Sequence, residues 1–357
     1  MHRMSVSKRA IFTLLVACAA GCAAETPPPQ PAATAAASCE RRPAWTEPDP
    51  SAGTWHLLTA PHGPRLQVDA VLETCDAIVS VAHDYGPGGK VYMPGPAELL
   101  WSKDGRDWQK RDMATEGFFR SIAFGEGTWV AAGERMGSGI ISVSKNVEAT
   151  GWKEVFGHTT MYFRSVAYGA GMFVAVTQGG VAVSSDGEQW HWAALPNTTA
   201  QYFEVAYGAG RFVVAGVGAT LNSVDGERWE LSGCGSADCP AIQPPTGPAS
   251  TTIALQQLRF AADAFYAFGA SGHLRSSDGL SFAPYRGVQT PDAKLGDRLL
   301  SVVEKPDTHN TTLLDSSDDG ESWRALAPLA AASQSADCSQ QFCLATQRVL
   351  LVFEPTP

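Results

Sequence analysis

"VSSDGEQW", Val183 to Trp190, decides the fold, because nearly the same string keeps returning along the chain. "WSKDGRDW" ends at Trp108, "NSVDGERW" at Trp229, "RSSDGLSF" at Phe282 and "SSDDGESW" at Trp323. A glycine in the turn tolerates positive φ without a Cβ clash. Serine and aspartate side chains bond backbone N–H groups across such a turn. The aromatic residue that follows is placed to fill the layer between neighbouring sheets. Asp104, Asp186, Asp225, Asp278 and Asp319 are therefore read as structural. A catalytic pair of carboxylates must converge on one substrate atom, and aspartates in equivalent turns are spread around the molecule instead.

Working outward, "YFRSVAYGAGMFVAVTQGGVAVSSDGEQWHWAAL" aligns with "YFEVAYGAGRFVVAGVGATLNSVDGERWELSG" and with "FFRSIAFGEGTWVAAGERMGSGIISVSKN". Each unit has four short apolar runs: one before Gly-x-Gly, one before a glycine turn, one entering the Ser-x-Asp-Gly turn, and one beginning at the aromatic residue. Runs rich in Val, Phe and Tyr between glycine turns are strands in hairpins. No long helical periodicity interrupts them.

The Ser-x-Asp-Gly-x-x-Trp string resembles the Asp-box, or BNR repeat, of sialidase-like β-propellers, one residue shorter than that family's usual Ser-x-Asp-x-Gly-x-Thr-Trp form. The repeats cover most of the chain after Trp55. The resemblance implies an all-β propeller of four-stranded antiparallel blades. It implies no single activity, since such propellers include glycosidases, receptors and assembly factors. Box serines are read at Ser102, Ser184, Ser223, Ser276 and Ser317, with a degenerate box at Ser144 that has Asn146 in the aspartate place. "QFCLATQRVLLVFEP" reads as the middle strands of one more unit and "GTWHLLTA" as its last strand. Joining them closes the ring and removes its open edges. Seven blades are expected, with six as the alternative.

The first 21 residues read as an export signal. "MHRMSVSKR" is a basic n-region and "AIFTLLVACAAG" a short apolar h-region, below the roughly 20 apolar residues of a membrane span. Ala19, Ala20 and Gly21 before Cys22 resemble a bacterial lipoprotein lipobox, although Ala19 stands where leucine is usual. "LVAC", ending at Cys18, competes with it, and ordinary secretory cleavage is the other reading. The resemblance implies acylation of Cys22 and a lipid bilayer as partner. Ala23, in place of an aspartate, implies the outer membrane. Residues 22–52 are Pro- and Ala-rich and read as a flexible tether. Residues 53–357 read as one propeller domain.

The six remaining cysteines suit an oxidising compartment. Cys39–Cys75, Cys234–Cys239 and Cys338–Cys343 are the expected disulfides, with zinc as the alternative that the loose CxxxxC spacing disfavours. The chain carries a net charge of -10, which excludes a nucleic-acid partner. Loss of the signal removes Arg3, Lys8 and Arg9 and makes it more acidic still.

In a four-stranded meander the first and third turns share one face. The boxes mark that face. The long loops His83–Ala97, Cys234–Thr252 and Arg286–Asp297 fall on the opposite one, where binding usually sits. Arg120, Arg164 and Arg259 recur near the start of first strands and point to the same face. They are candidates for an anionic ligand, against the plainer reading of local pairing, with Glu204 standing in the equivalent place of another unit. "FFRSIA" and "YFRSVA" lack the proline of the sialidase Phe/Tyr-Arg-Ile-Pro motif, and no Tyr–Glu pair can be mapped, so no catalytic residue is assigned. Walker, HExxH and GxSxG motifs are missing from the sequence. No cofactor is expected. The expected function is a tethered, non-enzymatic module that binds or scaffolds an envelope protein or glycan. A divergent glycoside hydrolase is the alternative.

Overall fold

Each Gly-x-Gly closes a two-residue hairpin. Ala170 and Gly171 take φ of 48° and 77°, and Ala209 and Gly210 take 47° and 75°, the doubly positive pair of a type I′ turn whose twist matches the flanking strands. The computed structural model describes residues 51–355 except 52, 59–65, 75–76, 85–95, 104–107, 149–151, 197–199, 235–254, 262, 270–271, 286–290, 292, 296–297, 305–310, 318–319, 321, 329, 332–341 and 346–349.

Among these residues the chain is all strand and turn. Phe163–Gly169, Met172–Thr177, Gly180–Ser184 and His191–Trp192 form one antiparallel meander in chain order. Equivalent meanders span 66–116, 118–159, 201–231, 257–284 and 293–328. We number these blades one to six in chain order, so that 163–192 is blade three. The first strands of blades one to five are innermost and lie side by side in sequence.

The propeller has six blades, not the seven expected from the repeat count. The terminal residues explain the difference. Gly53–Leu58 does pair antiparallel with Leu350–Pro355, which pairs with Phe342–Ala345. That sheet, however, has three antiparallel strands rather than four. Its outermost member, Ala330–Ala331, runs parallel to Gly53–Leu58. The same parallel addition occurs where Gly233–Cys234 joins Ser281–Pro284, and in miniature where Ala194 bridges Arg228. These are passing connectors that add to the next sheet's edge. Among the described residues the terminal sheet thus has three antiparallel strands with this parallel connector as its fourth member, and it does not repeat the four-stranded antiparallel meander of a blade.

Both faces of each blade are buried, so the strands read as continuous apolar runs instead of a clean alternation. Period two then divides the residues between two layers. In blade three, Phe173, Ala175 and Ala182 face blade two and pack with Val130, Ala132, Ile141 and Val143. Val174, Val176, Val181 and Val183 face blade four and pack with Val205, Phe212, Val214 and Trp229. Each fully buried Phe or Val contributes about 1.5–3 kcal/mol. Glycine lets the layers meet closely: a Cβ on Gly125, Gly169 or Gly208 would run into the ring of Tyr168, Tyr207 or Phe260 of the next blade.

Candidate functional site

The box carboxylates are engaged within their own turns. Ser184 Oγ donates to Asp186 Oδ1 at 3.0 Å and accepts the Gly187 N–H at 2.8 Å. The same Asp186 oxygen accepts the N–H groups of Glu188 and Gln189 at 2.7 and 2.8 Å. Asp225 repeats this with Glu227 and Arg228 at 2.9 and 2.8 Å, and Asp278 with Leu280 and Ser281 at 2.9 and 3.1 Å. The Trp190 indole donates to Gly187 O at 2.6 Å, and the Trp229 indole to Gly226 O at 2.7 Å.

All three acids are held below the ordinary aspartate value. For Asp186 the Gln189 N–H is the main cause. For Asp225 and Asp278 burial pulls the other way, and the backbone donors together with the box serine outweigh it. A carboxylate stabilised as an anion by its own turn is a poor proton donor near neutral pH.

The degenerate box shows what the turn needs. Asn146 Oδ1 accepts the Glu148 N–H at 2.8 Å, and Ser144 Oγ accepts the Asn146 N–H at 3.2 Å. One side-chain oxygen suffices, so the negative charge is dispensable for the geometry. In blade six the box serine is Ser316, not Ser317 as expected. Ser316 pairs with Leu299, as Ser184 pairs with Phe173, and accepts the Gly320 N–H at 2.9 Å. That spacing is one residue longer than in the other boxes. Asp104 and Asp319 lie outside the described residues.

At the other end of the blades, the innermost strands carry bulges. Register shifts skip Arg120 in blade two, Arg164 in blade three and Phe203 in blade four. A bulge re-aims side chains and leaves one residue unpaired. The residue after it reaches across to the next blade. Ser121 Oγ donates to Val166 O at 3.2 Å and accepts the Val166 N–H at 3.1 Å. Ser165 does the same with Val205 at 3.4 and 3.3 Å. Glu204 accepts the Leu258 N–H. These clasps satisfy backbone groups on the open edge of each inner strand. Glu204 therefore matches Ser121 and Ser165, and Phe203, not Glu204, is the counterpart of the two arginines.

The bulges bring Arg120 and Arg164 together around Tyr162. Their guanidinium carbons stand 5.1 and 4.8 Å from that ring, and Arg164 stands 4.5 Å from the Phe203 ring of blade four. Arg120 is ion-paired with Glu134. Arg164 Nη2 donates to Tyr162 Oη at 2.6 Å. Burial is the main cause that holds the Arg164 guanidinium below its ordinary value. Tyr162 works to raise it, and the neighbouring Arg120 lowers it further. It remains a cation at neutral pH.

Arg259 does not share this position. Leu258, which pairs with Ala267, is the counterpart of Val166 and Val205. Arg259 therefore aligns with Ala167 and Ala206, past the bulge, and the structure does not bring it to Tyr162. Tyr162 and Phe203 were missed in the sequence. The available signal was an aromatic residue two before Arg164 and another in the aligned place of the next unit. The long loops His83–Ala97, Cys234–Thr252 and Arg286–Asp297, Cys22 and the expected cysteine pairs lie wholly or partly outside the described residues. Among the described residues no cluster of three or more His, Cys, Asp or Glu side chains is placed to hold a metal.

No family model matches the chain, and no curated protein matches it. Solved structures do. A catalytically inactive virginiamycin B lyase from Staphylococcus aureus, crystallised with quinupristin, superposes with a TM-score of 0.57 at 10% identity, over 85% of this chain and 99% of the lyase chain. A streptogramin B lyase gives 0.52 at 8% identity, over 85% and 97%. The class of protein so defined is a β-propeller. At these identities the likeness concerns the fold alone, and the lyase activity is not transferred.

Proposed function

We propose that this chain is a lipid-anchored Asp-box propeller of the bacterial outer membrane, and that it binds a protein or glycan without transforming it. Acylated Cys22 is the anchor, residues 22–52 are the tether, Cys39–Cys75 pins the start of the domain, and Cys234–Cys239 and Cys338–Cys343 close small, locally stiffened loops. The observation that carries the binding reading is where the charges are used. Asp186, Asp225 and Asp278 each use an oxygen on their own turn, while cations and rings gather at the opposite ends of the blades. A binding module needs such a recognition surface on a rigid scaffold. A retaining or inverting glycosidase needs two carboxyl groups about 5–9.5 Å apart across one sugar.

The test has two arms. Photo-crosslinkers placed at Tyr162 and at Glu188 in the native envelope should trap a reproducible neighbour from the first position and not the second. Purified protein should leave a panel of sialosides and other glycosides intact, and turnover would overturn the reading. The anchor is tested separately: metabolic labelling with a palmitate analogue should mark the wild-type chain and not Cys22→Ala.

A further inference from the structure

We propose that the layer between blades five and six is a seam at which the propeller opens on mild acidification, with His273 as the group that takes up the proton. The inference goes beyond the proposed binding role and does not depend on it.

Two features set this layer apart. The first is its packing. The layers from blades one and two to blades four and five are built from buried aliphatic and aromatic side chains. In blade five, Phe265, Ala267, Leu274 and Phe282 face blade four, so by strand alternation Tyr266, Phe268, His273 and Arg275 face blade six. Tyr285 joins them. Its ring lies 5.3 Å from Tyr266 and 6.4 Å from His273, and its hydroxyl fills the space that a Cβ on Gly320, in the blade-six box, would need. Across the layer, in the places of Phe173, Ala175 and Ala182 of blade three, blade six has Leu299, Ser301 and Leu314. The second feature is a missing clasp. Ser121, Ser165 and Glu204 each bind the inner strand of the next blade. Gln257 is their counterpart in blade five, since it precedes Leu258 as Ser165 precedes Val166. Among the described residues Gln257 makes no such bond, so the run of clasps ends at blade five.

His273 makes this seam sensitive to protons. It pairs with Phe268, with the rings 4.3 Å apart. Its Nδ1 is buried and has no hydrogen-bond partner among the described residues. A neutral imidazole can leave that nitrogen as a bare acceptor, whereas an imidazolium must place an N–H there. A charged donor buried without an acceptor destabilises the closed form, and water satisfies it once the seam opens. The titratable and charged neighbours on the layer are Tyr266, Tyr285 and Arg275, whose Nε donates to Tyr266 Oη at 3.2 Å. None of these is an anion at neutral pH. Burial accordingly holds the His273 ring below the ordinary histidine value, and no carboxylate opposes it. The open form therefore binds the proton first. The closed seam is fully stable above the unfolded value of about 6.5. It weakens as pH falls below that value and stops weakening once the lower folded value is passed.

Hydrogen exchange of the full chain in detergent, compared at about pH 7 and about pH 5.5 after correction for intrinsic exchange rates, tests this. Amides of 264–268 and 272–276 should open roughly five- to tenfold more often at the lower pH, as one proton taken up below about 6.5 requires. Amides of 172–177 and 180–184 in blade three should not change. The box aspartates titrate below this window and do not contribute to it. His273→Phe keeps a ring against Phe268 and Tyr285 and cannot be protonated, so the acid response should vanish. If that variant does not fold, His273→Gln makes the same comparison, and the wild-type map is decisive by itself about where opening occurs. Equal acceleration in every blade, no acceleration between the two pH values, or an undiminished response in either variant overturns the inference.

Discussion

Replacing Gly169 with alanine tests whether close approach of adjacent blades sets the spacing of the propeller. A Cβ there would lie 2.1 Å from Tyr207 Cγ and 2.3 and 2.4 Å from the two Cδ atoms. Contact between carbons is comfortable near 3.5–4.0 Å, so the ring must retreat by more than about 1 Å. It cannot retreat freely, because Tyr207 packs on Phe212 with centroids 4.8 Å apart, and Phe212 is wholly buried in the layer between blades three and four. Overpacking of this kind costs about 1–3 kcal/mol. Equilibrium unfolding in urea should show a lower midpoint for Gly169→Ala. The same change made in a Tyr207→Ala background should cost nothing, or stabilise by about 0.5–1 kcal/mol, because alanine loses less backbone entropy than glycine in a strand. Equal loss in both backgrounds would refute the steric argument and place the effect in the turn or the unfolded chain. No loss in the wild-type background would show that the blades are not in contact there.

Three more outcomes follow from the hydrogen bonds. Glu204→Ala should lower the unfolding free energy measured in urea by about 1–3 kcal/mol, because the Leu258 N–H loses its acceptor, whereas Glu204→Gln should retain most of the clasp; equal loss in both would point to charge rather than the hydrogen bond. Asp186, Asp225 and Asp278 have folded values below the ordinary one, so the unfolded chain binds their protons first as the pH drops. Their contribution is complete above the unfolded value near 3.9 and disappears as pH falls through the lower folded values, giving an acid limb in urea midpoints between about pH 5 and 2. The triple change D186N, D225N and D278N should flatten that limb while leaving the fold intact at pH 7, as Asn146 already serves one box; an unaltered limb would assign it to other carboxylates.

The box turns were legible because their information is local. A serine, an aspartate and a glycine within four residues dictate the same hydrogen bonds at Ser184, Ser223 and Ser276, whatever the rest of the chain does. The shift from Ser317 to Ser316 carried a signal that was passed over: Ser316-Ser317-Asp318-Asp319-Gly320-Glu321-Ser322-Trp323 has the longer Ser-x-Asp-x-Gly-x-x-Trp spacing of the usual box. Pairing with Leu299 settles that Ser316 is the one opposite the core position. Blade number failed for a related reason. The strand runs at the two ends of the sequence were read correctly as partners, yet a parallel connector such as Ala330–Ala331 leaves no sequence pattern that separates it from a strand of the meander.

By itself, then, the sequence determined the type of unit, its turns and its charge, since these depend on residues a few positions apart. Tertiary structure decided the cation site. Bulges move Arg120, Arg164 and Phe203 out of simple alternation, so a one-dimensional alignment grouped Arg259 with the arginines and took Glu204 for their counterpart. Contacts between blades, as between Arg164 and Phe203, join residues some forty positions apart in the chain. Their geometry exists only once each inner strand has been clasped to the next.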